Sequence, residues 1–285
     1  MDVDVGIIGA GLVGSALALK LQRQPGYAVR MIANRSRDKA ESLASRVGAV
    51  VGTNQAIAQT CELILITTPD RVIAAVAQEI AADCHAGQIV VHCSGSLKAD
   101  ILEPVRRNGA LTVSVHPLQP FASVEIAAQA LAGAYFTVEG EAQEWACQWV
   151  RELGGTARVI RADQKTLYHA AACVAANYLV VLAAIAADLL TYSGFEREEG
   201  LAALLPLMQG SLDNLAGAGL PQALTGPIPR GDADIVAAHL RAMPPEYLPL
   251  YRQLGVYAVE LGVEKKTIGE EARRQLREIL VEPEQ

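Results

Sequence analysis

The 285-residue sequence has no run of basic residues. Its 24 Lys and Arg are scattered and outnumbered by 31 Asp and Glu, for a formal net charge of −7. That balance excludes a polyanion binder, so neither nucleic acid nor an anionic membrane surface is an expected partner. Cysteine is also sparse. Cys61, Cys84, Cys93, Cys147 and Cys173 are odd in number and far apart, with no CxxC pair. Neither a disulfide framework nor a metal site is expected, and reduced thiols in a cytoplasmic protein are the simplest reading. Charged residues are only 19% of the chain against 51% apolar, which excludes global disorder. Internal repeats and low-complexity tracts are missing too. The opening MDVDVGIIGAG lacks the basic start of a secretory signal. One long apolar run does occur, Ala170–Leu190, but Asn177 and Asp188 interrupt it. It reads as the buried helix of a soluble protein rather than a membrane span.

What is present is alternation. Short β-branched runs at Val3–Ile8, Val29–Ala33, Leu63–Thr67, Ile89–His92, Leu111–Val115, Ala134–Val138 and Ala157–Ile160 read as strands. Helical patterns at Leu12–Gln22, Arg37–Val47, Arg71–Ala82, Leu97–Asn108 and Ala142–Leu153 sit between them. Strand–helix alternation with nearly unbroken apolar strands predicts an α/β fold: a doubly wound, mainly parallel sheet of the Rossmann kind. After Ile160 the pattern turns wholly helical, over Gln164–Tyr192, Glu199–Ala216, Asp232–Ala242, Tyr247–Leu261 and Thr267–Leu280. The expected domains are therefore 1–162, built on the sheet, and 163–285, all-α.

The first strand runs into Gly9-Ala10-Gly11-Leu12-Val13-Gly14, a GxGxxG turn that opens a helix. Gly9 permits the tight turn, Gly11 lets backbone approach a pyrophosphate, and Gly14 lets helix and strand pack closely. The unpaired N–H groups at the helix start suit an anion. The second strand ends in Asn34-Arg35-Ser36-Arg37, where an NAD site usually carries a carboxylate. Guanidinium and hydroxyl groups there favour a 2′-phosphate, so NADP(H) is the expected cofactor. Thr67, Thr68 and Pro69 end another strand and should line the ribose and nicotinamide, because ligands bind beyond the carboxyl ends of such strands.

Two further strand ends carry histidine. HCSGSL places Ser94 and Ser96 where hydroxyls could cap a helix or hold a substrate carboxylate, and HPLQPF places His116 where the chain leaves the sheet. His92 reads as structural. Lys165 and His169 share a helix face, with Asn177 farther round it. An amine, an imidazole and an amide in an apolar helix are costly unless they have partners or a purpose. Lys165 is expected to donate a proton to a carbonyl or imine, with His169 tuning it and Asn177 orienting the substrate. In LTGPIPRGD, Asp232 reads as a helix cap, while Thr225 and Arg230 could clamp a substrate anion.

The chain resembles the NADP-dependent oxidoreductases that join a Rossmann domain to a helical one, such as ketopantoate reductase, pyrroline-5-carboxylate reductase, 6-phosphogluconate dehydrogenase and prephenate dehydrogenase. HCSGSL, HPLQPF, KTLYHAAACVAANYL and LTGPIPRGD are similar, more closely, to a bacterial family of predicted oxidoreductases with a C-terminal domain of unknown function. Lys165 fits the lysine of the ketopantoate and hydroxyacid relatives, but His169 stands where they carry Asn. Ser94 or Ser96 with His116-Pro117 echoes prephenate dehydrogenases. The resemblance implies an NADPH-dependent reductase of a small 2-oxo or imino carboxylate, and a homodimer formed through the helical domain. The alternatives are oxidation of a cyclic acid with His116 as base, and a non-catalytic NADP(H) sensor.

Overall fold

The computed structural model describes residues 2–281. It divides into two compact units, 1–177 and 178–285, which meet within one continuous helix. The first unit is built on an eight-stranded sheet. Its strands are β1 (Val3–Ile8), β2 (Tyr27–Ala33), β3 (Val50–Val51), β4 (Leu63–Ile66), β5 (Ile89–His92), β6 (Leu111–Pro117), β7 (Tyr135–Gly140) and β8 (Thr156–Val159). Their order across the sheet is β3-β2-β1-β4-β5-β6-β7-β8. All neighbours are parallel except β6 and β7, which run antiparallel.

Helices α1 (Leu12–Leu21), α2 (Arg37–Val47), α3 (Asn54–Thr60), α4 (Asp70–Ile80), α5 (Glu103–Arg106), α6 (Val124–Ala130) and α7 (Gln143–Glu152) make most of the connections. They leave the central strands buried on both faces, and Leu63–Ile66 is buried at every position. Two apolar cores flank the sheet. One joins Leu17, Leu43, Phe136 and Trp149, and the other joins Ile57, Ile64, Ile73 and Leu102.

The doubly wound, mainly parallel sheet agrees with the sequence reading. Three short elements were not legible in it: β3, α3 and α6. β3 is two exposed residues, and α3 and α6 span seven residues each, too few for a period to show. The helix expected over 97–108 is instead a 3₁₀ turn, Ala99–Leu102, followed by the single turn α5, with Pro104 at its start. Proline suits the first turn of a helix but breaks the backbone ladder anywhere later.

Among the described residues no strand follows β8. Helix α8 (Lys165–Thr191) carries the chain from the first unit into the second, where α9 (Arg197–Ala218), α10 (Ala233–Ala242), α11 (Leu248–Glu264) and α12 (Glu270–Leu280) follow. Val236, Val259, Leu276 and Leu280 form a small core among the last three. The expectation that Ala170–Leu190 is buried does not hold. Along α8, Leu167, Val174, Tyr178 and Val180 are all exposed. Apolar content identifies a surface that needs covering, but it does not say that the same chain covers it.

Candidate active site

The carboxyl ends of the parallel strands carry two features. The first is a cleft of about 690 Å³ above β1, β2 and β4. It opens at the glycine turn. Gly9 has φ +119°, and a Cβ there would lie 2.7 Å from the Thr67 carbonyl carbon. A Cβ on Gly14 would lie 2.0 Å from the Gly9 carbonyl oxygen, so α1 can pack this closely only without a side chain. Around Gly11 there is open space. Leu12 and Val13 form the first turn of α1, whose N–H groups have no intrahelical acceptor. The Thr67 hydroxyl donates to the Gly9 carbonyl at 2.7 Å and ties the turn to β4. Asn34 accepts from the Ala10 N–H at 3.0 Å and donates to the Ser36 carbonyl at 3.0 Å. It therefore couples the glycine turn to the loop after β2.

The cleft is also lined by Arg35, Ser36 and Lys39 from the loop and helix after β2, with Thr68 and Pro69 on the β4 side. Arg37 is not part of this lining. Its guanidinium donates to Glu41 at 2.7 Å on the solvent face of α2. Lys39 and Arg71, which also line the cleft, went unnoticed in the sequence. Lys39 could have been found by counting one turn into α2 from Ser36. A nicotinamide dinucleotide phosphate fits this chain on two observations. The buried Thr68 hydroxyl has no hydrogen-bond partner among the described residues and lies in the cleft wall. The loop after β2 offers cations and a hydroxyl where a 2′-phosphate would need them.

The second feature is a polar corner at the ends of β5 and β6. In β6, Ser114 and His116 are two apart and so face the same way, about 6.6 Å from each other along the strand. In α8, Lys165 and Tyr168 are three apart on one face, about 4.5 Å along the axis. The two spacings match, and the residues meet in pairs. Lys165 Nζ donates to the Ser114 hydroxyl. Tyr168 Oη and His116 Nδ1 are hydrogen-bonded at 2.7 Å, ring edge to ring face. His169 adds a second edge contact to His116, with ring centroids 6.3 Å apart. Gly95 makes this possible, because a Cβ there would lie 2.8 Å from His116 Nε2 and 2.7 Å from the His169 ring.

Lys165 is only 1% exposed. It lies beneath the corner, and Glu139 is next to Ser114 by strand register. Burial lowers its pKa to about 8, against the opposing pull of Glu139, Cys93 and Asp70. Its ammonium gives one of its three hydrogens to Ser114, inside the protein. Burial, together with the Lys165 charge and then His169, lowers His116 to about 4, leaving it neutral at pH 7. His92 is fully buried and structural. Its Nδ1 accepts from the Ser94 N–H and its Nε2 meets the Lys98 carbonyl, pinning the loop between them.

Ser94 and Ser96 do not offer their hydroxyls to a substrate carboxylate. Both donate to Asp70 Oδ2, each at 2.8 Å. Asp70, the first residue of α4, thus holds this loop. Asn177 is exposed farther along α8 and is not among the residues bonded in the corner. Thr225 and Arg230 belong to the second unit, where Arg230 donates to Asp232 at 2.8 Å. Tyr168, Ser114, Gly95, Asp70 and Glu139 were missed as site residues. Only Tyr168 carried a signal in the sequence, as a neighbour of His169 on the face of Lys165.

Family models match both parts of the chain: a Rossmann-like domain at residues 1–117 and a domain of unknown function, DUF2520, at residues 134–258. No curated protein sequence matches. Solved structures do. A protein of Thermotoga maritima is 26% identical, with TM-score 0.72 over 92% of this chain and 99% of its own. A Bacteroides fragilis protein, provisionally described as an NADP oxidoreductase, is 23% identical, with TM-score 0.71 over 91% and 98%. The 1-pyrroline-5-carboxylate reductase of Streptococcus pyogenes is 14% identical, with TM-score 0.59 over 97% and 99%, a likeness of fold. The chain thus unites a Rossmann-like domain with a DUF2520 domain, the two-part family that its later motifs resemble.

Proposed function

We propose that this chain is an NADP(H)-dependent oxidoreductase that reduces the carbon–oxygen or carbon–nitrogen double bond of a small substrate, a 2-oxo or imino carboxylate being the finer reading. The observation that carries it is the cleft. A glycine turn together with Arg35, Ser36 and Lys39 leaves room for a dinucleotide phosphate. When bound, the cofactor supplies hydride. The chain supplies the rest: Asn34 and Thr67 fix the turn, the α1 N-terminus would hold the diphosphate, and Arg35, Ser36 and Lys39 would hold the 2′-phosphate. The fold likeness to reductases agrees with this reading.

A substrate carboxylate does not belong on the Ser94–Ser96 loop, because Asp70 already takes both hydroxyls. A second reading, oxidation of a cyclic acid with His116 as base, draws on the neutral imidazole at the end of β6. By length and composition Ala162–Thr191 could cross a membrane, but its first turns carry Lys165, Tyr168 and His169 against the sheet. We assign the exposed apolar side chains of α8 and α9, among them Val174, Val180, Leu205 and Leu207, to a contact with a second copy. The free thiols suit the cytoplasm.

The test is a titration of NADPH and NADH, read by nicotinamide fluorescence. NADPH should bind at least about tenfold more tightly, and Arg35→Ala should remove the preference. If neither cofactor binds, the reading falls.

A further inference from the structure

We propose that Tyr168 is the proton donor of this site and that His116 is its positioning residue, with the imidazole Nδ1–H donating to the phenol oxygen. The inference deepens the reductase reading and rests on it. Lys165 is almost wholly buried and hydrogen-bonded to Ser114, whereas Tyr168 is only half-buried and so more open to a substrate. His169 and Cys173 contact each other at 3.9 Å, a distance that leaves neither strongly bonded. Tyr168 combines three properties. It is half-buried rather than enclosed, it belongs to the corner at the carboxyl ends of β5 and β6, and its oxygen is hydrogen-bonded at 2.7 Å to a ring nitrogen of His116. That corner is on the same carboxyl edge of the parallel strands as the β1–β4 switch point, with β5 the next strand along from β4.

The direction of the 2.7 Å bond decides the chemistry. A neutral imidazole carries one proton. If it lies on Nδ1, the ring donates to Tyr168 and the phenol hydrogen remains available to a substrate. If it lies on Nε2, the phenol has already spent its hydrogen on the ring. His116 stays neutral because burial first, then the Lys165 charge and the neighbouring His169, outweigh the opposing carboxylate of Asp70. Burial raises Tyr168 above its ordinary value against the opposing pull of the neighbouring Thr137 hydroxyl, so it waits as the neutral acid.

In the step itself the substrate carbon would accept one hydride from the reduced nicotinamide, and the π bond to oxygen would break with its electron pair passing to that oxygen. The Tyr168 O–H bond breaks, and a new O–H bond forms on the former carbonyl oxygen. The phenolate left behind accepts the Nδ1–H hydrogen bond of His116 and takes its proton back from solvent. The substrate group this arrangement suits is an uncharged carbonyl or neutral imine, which needs a proton. A preformed iminium does not.

The first readout needs no substrate. Imidazole ¹⁵N spectra, with His116 identified from the His116→Asn variant, should show the Nδ1–H tautomer, and Tyr168→Phe should shift the His116 Nδ1 resonance. An Nε2–H tautomer in the wild-type protein overturns the proposal. The second readout uses small ketones, 2-oxo acids and a preformed cyclic iminium as probes. Tyr168→Phe should lower kcat for the ketones and oxo acids about 100-fold while NADPH affinity and iminium reduction stay unchanged. His116→Asn, which keeps an N–H donor, should retain more of the rate than His116→Leu. Equal loss on all probes assigns Tyr168 a structural role and overturns the proposal. Failure of NADPH to bind at all would instead overturn the reductase reading.

Discussion

The cofactor cleft and the polar corner are two parts of one sheet edge built from different materials. The cleft is made by local backbone. Gly9, Gly11 and Gly14 lie within six residues, and their roles follow from φ angles and close approach. The corner is made by side chains far apart in sequence: Ser94, Ser114, His116, Glu139, Lys165 and Tyr168. A local backbone motif carries its geometry with it. A long-range cluster has no geometry until the sheet order is known.

The largest effect should come from breaking the cleft. Gly14→Val places atoms inside the Gly9 carbonyl contact, and NADPH affinity should fall by at least about 100-fold in a fluorescence titration, equivalent to about 2.7 kcal/mol. In the corner, Lys165→Met should stabilise the fold. The folded-state pKa of about 8 lies below the usual 10.5. The unfolded chain therefore binds more protons between those values, and wild-type stability rises with pH across that window. Replacing the buried amine by an apolar chain should add roughly 1–3 kcal/mol at pH 7 and flatten the rise, as measured by urea unfolding at several pH values.

A third expectation concerns the histidines. His92 and His116 both have folded pKa values of about 4, against 6.5. The unfolded chain takes up protons first as pH falls, so stability is lost between pH 6.5 and 4. Protonating His92 would also set an N–H against the Ser94 N–H it now accepts from. His92→Gln should lower stability at pH 7 by roughly 1–2 kcal/mol yet remove part of the acid dependence. The smallest effect should come from Arg37→Ala. Its partner is Glu41 on the solvent face, so NADPH affinity should change by less than about twofold. A large loss there would mean that the lining of the cleft is different from the one described.

Much of the fold was legible because apolar periodicity reports burial. The ends of α2 and β5 were read to the residue, since Gly48 stops one in a left-handed conformation and His92 ends the other. The antiparallel setting of β7 against β6 was not legible, because both orientations satisfy the same apolar pattern. Nor was the exposure of α8. The site was legible to the extent that chemistry was local. The glycine turn, Arg35 and Ser36 line one cleft, while Arg37, which adjoins them in sequence, does not. The Ser94 and Ser96 hydroxyls were given to a substrate because nothing near them in sequence reveals Asp70 as their acceptor.

By itself the sequence determined the alternation that makes a doubly wound sheet, the turn at its first crossover and the helical second half. These follow from steric and hydrophobic rules acting over a few residues. Tertiary structure decided which polar group is buried and which stays at the edge. Lys165 and Tyr168 are three residues apart on one helix, yet the sheet buries the amine against Ser114 and leaves the phenol at the edge beside His116. That outcome depends on a strand some fifty residues upstream, and only packing brings the two together.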